Sequence, residues 1–285
     1  MARNKERTGA RQQQADPPAP LMQEDNNSGG FSFVVPTEFI ELPSEGKYYP
    51  EGHPLHGEST LEIKQMTAKE EDLLTSRSLL KKGIALDRLL KSVVVNKQID
   101  TNSLLVGDRN AILIATRVSG YGADYQTKIT CPSCNTAQDY AFDLNDADVY
   151  DGTGFTENEA VSNGDGTFTT TLPRTKIEVT FRLLNGTDEK NLVNQVENAR
   201  KKRRPENGIT RQLKQIILAV NGDDTQKSIN YAVENMPSMD ARHLRLAYKL
   251  ATPNVDLTQT FECNECDYEQ DMEVPLTADF FWPDR

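Results

Sequence analysis

The 285-residue chain is predicted to adopt an α+β fold, in which a helical middle lies between small antiparallel sheets. Apolar residues recur every three or four positions through much of residues 67–120 and 187–251, which is the period of helices that bury one face. Shorter stretches around them alternate apolar and polar residues, as half-buried strands do. Because helices and strands come in runs and do not alternate regularly, an α+β arrangement is favoured.

The third observation concerns the cysteines, which fall in two identical spacings, Cys131-Pro-Ser-Cys134 and Cys263-Asn-Glu-Cys266. Two thiolates three residues apart form a knuckle, and two knuckles complete the tetrahedral shell that Zn²⁺ prefers. Closing the intervening loop costs about 4 kcal/mol of chain entropy, whereas structural zinc contributes about 10–16 kcal/mol in small peptides. We therefore expect the four cysteines to be the ligands of one closed, structural Zn²⁺ site.

Four thiols with this spacing can also hold an iron–sulfur cluster, form disulfides or act as a redox pair. An iron–sulfur cluster takes the same four ligands, and spacing alone does not exclude it. Two disulfides are less favoured, because residues 1–30 contain no apolar stretch resembling a secretory signal. A redox role for Cys131 and Cys134 would need a strand-to-helix setting, whereas the residues after Cys134 indicate a turn and a strand.

Each knuckle lies inside a short internal repeat that predicts a hairpin, with a strand before the cysteines and a returning strand after them. Gln126-Thr127 and Gln259-Thr260 lie near matching places upstream. The downstream positions match as Gln138, Asp139, Phe142 and Leu144 against Gln270, Asp271, Val274 and Leu276. Two hairpins that share one ion would make a zinc-ribbon-like Cys₄ unit.

The N-terminal part is expected to differ from the rest. Residues 1–30 lack periodicity and carry few large apolar side chains, so we expect a disordered tail. Residues 31–56 contain short apolar groups broken by prolines and glycines, which is typical of an extended arm. Residues 57–285 are then predicted to form an α+β body closed by the Cys₄ clamp.

The elements of the body are predicted in order from local patterns. Leu61 and Ile63 alternate as a strand, and Thr67 with Glu70 forms a capping box that opens a helix. The further helices are expected over residues 79–94 with a break near Gly83, from about 110 to 120, from Thr187 to the basic run Arg200–Arg204, from 209 to 220, around 229–236 and over 238–251. Residues 177–181 alternate as another strand.

Residues 145–170 are acidic and rich in glycine, and we expect a flexible loop there. Asn163-Gly164-Asp165-Gly166 within it is a plausible hairpin turn.

Composition limits the possible functions. The protein is polar and acidic, with a mean hydropathy of −0.62, a net charge of −11 and a pI near 4.9. This charge argues against broad binding to nucleic-acid phosphates, and no segment approaches the roughly 20 apolar residues that span a bilayer. The three histidines and the abundant carboxylates form no catalytic pattern. We expect neither an enzyme nor a small-molecule or membrane binder.

Several further motifs occur in a characteristic order, namely FIELPSEGKYYP at residues 39–50, Met66-Thr67 with Glu70 and Glu71, Gly107-Asp108-Arg109, Arg117, Tyr121-Gly122 and the Cys131 knuckle. This ordered set resembles the baseplate hub proteins of T-even-like contractile-tailed bacteriophages. The resemblance continues more weakly through Leu172-Pro173 and residues 183–186 to the second knuckle.

The resemblance implies a structural or assembly component of the central hub of a tail baseplate. It implies partners among other hub proteins, contacted through the N-terminal arm, and a place in the virion tail baseplate after assembly in the host cytoplasm. The alternative is a nucleic-acid-binding zinc-ribbon regulatory protein that uses Arg200–Arg204, although that basic run is better explained as a solvated helix end.

Overall fold

The computed structural model describes residues 22–24, 31–274 and 278–281. The prediction of a disordered tail falls mostly on residues 1–21 and 25–30, which lie outside the described residues. Contacts between Cα atoms divide the chain into two units, residues 1–36 and residues 37–285. The first unit contains one hairpin, and the second contains the rest of the described elements.

The α-helices are α1 (Ala68–Thr75), α2 (Arg77–Lys81), α3 (Ala85–Val93), α4 (Val106–Tyr121), α5 (Gly186–Lys201), α6 (Gly208–Ile216), α7 (Gln226–Asn235) and α8 (Ser238–Ala251). The strands are β1 (Met22–Glu24), β2 (Phe31–Phe33), β3 (Thr37–Glu41), β4 (Thr60–Lys64), β5 (Asp124–Thr130), β6 (Ala137–Asp143), β7 (Asp148–Tyr150), β8 (Ala160–Ser162), β9 (Thr167–Thr171), β10 (Glu178–Arg182), β11 (Ile217–Val220), β12 (Asn254–Asp256), β13 (Thr258–Glu262) and β14 (Glu269–Glu273). Short 3₁₀ helices occur at Leu144–Asp146, Thr153–Asn158 and Ala278–Phe281.

The sheets are small and antiparallel, as predicted. In the first unit, β1 pairs with β2. In the second, β8, β9, β10 and β11 form a four-stranded sheet in the order β11-β10-β9-β8. Phe168 and Phe181 are fully buried on it with their rings stacked at 5.5 Å. The pairs β3-β4, β5-β6, β7-β12 and β13-β14 complete the second unit.

The helical predictions are largely confirmed. Thr67 and Glu70 form the predicted capping box, in which Glu70 accepts hydrogen bonds from the Thr67 backbone N–H at 3.0 Å and from its hydroxyl at 2.5 Å. The break near Gly83 separates α2 from α3, and Gly83 has a φ of +66° that favours glycine. Gly122 ends α4 at a φ of +85° and leads directly into β5.

Helix α4 lies at the centre of the second unit and holds the start of β5 in place. The Arg117 side chain, buried completely, donates hydrogen bonds to the carbonyl oxygens of Gly122 at 2.6 Å, Asp124 at 3.1 Å and Phe280 at 2.6 Å. Its guanidinium also lies 5.4 Å from the centroid of the Tyr121 ring. Three carbonyl groups from two distant segments are thereby satisfied by one cation.

Residues 37–56, which belong to the predicted arm, pack on the chain's own body. They begin with β3, which pairs with β4, and the segment after β3 packs on α4. The buried Asp108 carboxylate accepts hydrogen bonds from the Ser44 N–H at 3.0 Å, the Ser44 hydroxyl at 2.6 Å and the Tyr49 hydroxyl at 2.6 Å. Proline and glycine in this segment therefore mark tight turns on the body.

Residues 145–170 do not form one long loop. They contain β7, β8, most of β9, one complete 3₁₀ helix and the end of another. The predicted turn at residues 163–166 joins β8 to β9, and Ser162 pairs with Phe168. Strand β7 pairs with β12, about a hundred residues further along the chain, so a local pattern could not predict it.

The helix predicted over residues 209–220 is also shorter than expected. Helix α6 ends at Ile216, and residues 217–220 form β11, which pairs with β10 so that Val220 lies opposite Val179. The sheet partner decides the structure of this apolar run. Among the described residues, no helix is both long and apolar enough to cross a bilayer.

Candidate metal centre

The first cysteine pair lies in the turn between β5 and β6. The Cys131 N–H donates to the Thr136 carbonyl at 2.9 Å, and the Asn135 N–H donates to the Cys131 carbonyl at 2.9 Å. Asn135 has a φ of +58°, which asparagine tolerates better than most residues. The turn is thus closed by its own backbone, with both sulfurs on one side.

The second pair repeats this turn 132 positions later in the sequence, between β13 and β14. The Cys263 N–H donates to the Tyr268 carbonyl at 2.9 Å, and the Asp267 N–H donates to the Cys263 carbonyl at 3.1 Å. Asp267 has a φ of +51° and occupies the place of Asn135. The internal repeat predicted from sequence is therefore a repeat of backbone structure.

The two turns bring all four sulfur atoms together. Cys131 Sγ lies 3.8 Å from Cys266 Sγ, and Cys134 Sγ lies 3.7 Å from Cys263 Sγ. All four lie within 4.8 Å of one another, and they are the one such group of metal-binding side chains among the described residues. Tetrahedral thiolates at a Zn–S distance of about 2.3 Å lie about 3.8 Å apart. The set can therefore bind one metal ion, and these distances are too long for disulfide bonds.

The crowding of the thiols alters their ionisation. The pKa of Cys134 is lowered to about 6, mainly because the hydroxyl and N–H of Thr136 donate to its sulfur. At Cys266 the Tyr268 N–H lowers the pKa, but desolvation and the other three thiols raise it by more, to about 12. One thiolate forms readily and disfavours the next. A divalent cation would offset this repulsion by binding thiolates.

Side chains fix the two hairpins to each other beside the sulfurs. Gln138 donates from Nε2 to the Glu262 carbonyl at 3.2 Å and accepts at Oε1 from the Asn264 N–H at 3.1 Å. The Tyr140 hydroxyl donates to the Thr260 carbonyl at 3.0 Å. Sequence reasoning identified Gln138 only as part of the repeat.

At the far end of the hairpins, Gln259 makes the equivalent connection to the end of β6. It donates to the Asp143 carbonyl at 2.6 Å and accepts from the Asp143 N–H at 3.3 Å. These contacts, like those of Gln138 and Tyr140, join side chains to backbone across more than a hundred residues, which no sequence pattern indicates.

The hairpins are also joined by an apolar layer on their inner faces. The buried residues occur in pairs that are 132 positions apart, and these pairs are Tyr125 with Leu257, Ile129 with Phe261, and Phe142 with Val274. The Tyr125 ring meets Phe280 edge-on at 5.3 Å. The predicted repeat position Leu276 lies outside the described residues. The unit is thus a zinc-ribbon-like pair of hairpins anchored to the body.

The other candidate residues stay apart from this centre. His53 Nε2 lies 2.8 Å from the Ser103 hydroxyl, His56 Nδ1 lies 2.7 Å from the Tyr49 carbonyl, and His243 Nε2 lies 3.2 Å from the Thr170 hydroxyl. Each imidazole therefore contacts a neutral group of its own chain.

The basic run predicted to be a solvated helix end lies at the C-terminus of α5 and beyond. Arg200 forms an ion pair with Glu206 at 2.7 Å, and Lys201 forms one with Glu197 at 3.4 Å. The side chains are exposed, and cations at this end of a helix are favoured by the macrodipole.

Comparison with known proteins agrees with the resemblance seen in the sequence. A family described as T4 bacteriophage base plate protein matches residues 35–282. The chain belongs to this family. No curated protein and no solved structure matches the chain.

Membership identifies a T4-like phage baseplate protein, located in the baseplate of the virion tail. The match begins just before β3 and extends beyond the second hairpin, so it includes both knuckles. Arg117 and Asp108, which contributed to the resemblance, are the buried polar groups that hold β5 and residues 42–49 on α4. These motif positions therefore have structural roles in the baseplate protein.

Proposed function

We propose that this baseplate protein is a non-enzymatic structural or assembly component of the central hub, and that its two hairpins are locked by one Zn²⁺ ion. The ligands would be Cys131, Cys134, Cys263 and Cys266. The observation that carries the proposal is the convergence of four sulfurs, 3.7–3.8 Å apart across the two hairpins, in a protein of the baseplate family.

The chemistry of the donor set favours zinc. Four thiolates form a complete tetrahedral shell with no open position for water, which is the arrangement of structural zinc sites. Buried Cys131 and Cys263 alternate with exposed Cys134 and Cys266, so the ion would lie at the surface end of the ribbon. There it would fix the hairpins without reaching a substrate.

An iron–sulfur cluster fits the spacing less well. In a four-iron cluster each cysteine binds a different iron, so the ligand sulfurs stand further apart than they do around a single ion. The short distances between the sulfurs support one ion instead. Elemental analysis separates zinc from iron directly.

A pair of hairpins locked by a metal ion suits a protein that must keep its shape in contact with other baseplate proteins. The ion would connect the strand pair that follows α4 with the strand pair near the end of the described chain. We propose that other baseplate proteins are contacted through residues 31–56, as the resemblance implies. The nucleic-acid alternative gains no support, since the first two cations of the basic run already have carboxylate partners.

Two measurements test the proposal. Purified protein should contain about one zinc per chain by elemental analysis, with no visible absorption from iron and sulfide. Quantitative mass spectrometry of gradient-purified tails and of isolated baseplate assembly intermediates should find the chain in the hub fraction. Disulfides without metal would refute the zinc site, and absence from hub-containing particles would refute the hub role.

A further inference from the structure

Strand β3 presents an open edge in the second unit. Its neighbour β4 pairs with one side of it, and no described residue of that unit pairs with the other. The Leu42 N–H donates to the Ser59 carbonyl at 2.8 Å, which continues the ladder between the two strands. Antiparallel ladders alternate, so Glu38 and Ile40 direct their backbone groups to β4, while Thr37, Phe39 and Glu41 direct theirs outward.

A second backbone hydrogen bond, on the other side of β4, indicates the same alternation of inward and outward residues. Glu62, opposite Phe39, accepts at its carbonyl from the Val95 N–H at 3.2 Å, on the far side of β4. Glu62 therefore faces away from β3, and its partner Phe39 must face the open edge. Three successive outward positions of β3 thus offer N–H and C=O groups that no described residue of the second unit pairs with.

The side chains at this edge are unusual for a strand that must avoid partners. Phe39, in the middle of β3, is 71% exposed, whereas natural edges are commonly protected by lysine, proline or bulges. Glu41 and Glu62 flank the ring, and neither forms an ion pair within the described residues. On the opposite face, Glu38 has a buried Oε1 without a hydrogen-bond partner, a condition that costs stability unless a donor arrives.

We propose that the open edge of β3 is a docking site for an extended segment of another baseplate protein. The segment would add a strand to β3, place an apolar side chain against Phe39 and bring lysine or arginine to Glu38, Glu41 and Glu62. Backbone hydrogen bonds would supply affinity, and the alternate side chains would supply specificity. This inference rests on the proposed function for the nature of the partner and adds the surface and the chemistry of recognition.

Charge favours a different protein over a second copy of this chain. The chain has a net charge of −11, and pairing two β3 edges would bring two sets of unpaired carboxylates together. Like charges on neighbouring strands are destabilising. A basic segment would instead neutralise the carboxylates beside Phe39.

Hydrogen exchange measured on the free protein and on purified baseplates tests the edge directly. In the free chain the amides of Thr37, Phe39 and Glu41 should exchange rapidly, because no described residue of the second unit accepts a hydrogen bond from them. In the baseplate they should exchange at least about tenfold more slowly, as amides in a paired strand do. Equal exchange in both samples would overturn the inference while leaving the protein a baseplate component.

Two variants with a matched control test the contribution of the edge to assembly. Phe39→Ser removes the exposed ring, and Tyr231→Ser, which alters a side chain that is 72% exposed on α7, is the control. Glu41→Pro removes one outward N–H and leaves the bonds between β3 and β4 in place. Each edge variant should lower the amount of protein per baseplate about tenfold or more when it is the only copy in infected cells, and the control should not.

The outcomes separate the possible occupants. Each variant is first checked for an unchanged melting temperature, so that loss of incorporation cannot be attributed to unfolding. Normal incorporation of both edge variants would overturn the inference. Protection in the free protein, together with a dimer mass by light scattering, would assign the edge to a second copy. Absence of the wild-type protein from baseplates would refute the proposed function itself.

Discussion

Removal of one cysteine pair should uncouple the two hairpins of the ribbon. In the double variant Cys263→Ser/Cys266→Ser, the remaining pair cannot satisfy a metal ion, because serine hydroxyls are poor zinc ligands and only two thiolates are left. The variant also removes the thiols that lie 3.7 Å and 3.8 Å from Cys134 and Cys131. Gln138, Tyr140 and the apolar layer stay intact.

The expected loss of stability is estimated by comparing the entropy cost of closing the loop with the free energy of zinc binding. The proposed ion would close a loop of 129 residues between Cys134 and Cys263, which costs about 4 kcal/mol of chain entropy. Free zinc at about 1,000 times its dissociation constant stabilises a folded protein by about 4 kcal/mol. At about 2–4 °C per kcal/mol for a chain of this size, we expect a melting temperature about 10 °C lower.

Differential scanning calorimetry of wild type, variant and chelator-treated wild type provides the assay. Chelation should lower the wild-type melting temperature by the same amount as the double substitution, and the variant should not respond to the chelator. Ser133→Ala, at an exposed position between two ligands, is the control and should melt as the wild type does. If chelator and variant both leave the melting temperature unchanged, the site contributes no metal-dependent stability and the reasoning fails.

Three further predictions concern groups around α4 and α1. Arg117→Met would leave one buried and two partly buried carbonyl oxygens without their donor and should lower the free energy of unfolding by about 3–5 kcal/mol in urea titration. Gly107→Ala would place a Cβ 1.9 Å from the Pro253 carbonyl oxygen and should cost about 1–3 kcal/mol in the same assay. Desolvation raises the pKa of Glu70, but hydrogen bonds from Lys64 and two hydroxyl groups outweigh it and lower the pKa from 4.5 to about 2. The carboxylate therefore stabilises the fold by about 3 kcal/mol above pH 4.5, and the deficit of Glu70→Gln should vanish as the pH falls toward 2.

Each of these three predictions has a control, which is a substitution of the same residue type at a solvent-exposed position. Arg88→Met and Glu71→Gln change exposed side chains, and Gly208→Ala adds a Cβ with no atom within 4 Å. All three should alter unfolding free energies by less than about 0.5 kcal/mol. A core variant that is no less stable than its control contradicts the role given to that residue, and a pH-independent deficit contradicts the low pKa of Glu70.

Local sequence patterns were sufficient to predict the structure where residues close together in the sequence determine it. The spacing of the cysteines and the repeat after them predicted both hairpins and their meeting point. Thr67 and Glu70 predicted the start of α1, because a capping box is complete within four residues.

Prediction failed where a distant partner decides the structure. The prolines and glycines of residues 31–56 indicate an extended arm, but no local pattern indicates that Asp108 on α4 accepts hydrogen bonds from Ser44 and Tyr49. Strands of three residues such as β7 and β8 are too short to show a period, and β7 is stabilised by β12, about a hundred residues further along the chain. Ile217 and Val220 continue the helical pattern of α6 but join β10 instead.

The order of the ribbon along the chain has a consequence for biosynthesis. Strands β5 and β6 leave the ribosome long before β13 and β14, and everything from β7 to β12 is made between them. A polypeptide that stops before Cys263 holds only two of the four clustered thiols and lacks β14, so the second hairpin cannot form. Closure of the ribbon therefore requires that translation has passed β14, so that shorter polypeptides lack the rigid part a growing tail would incorporate.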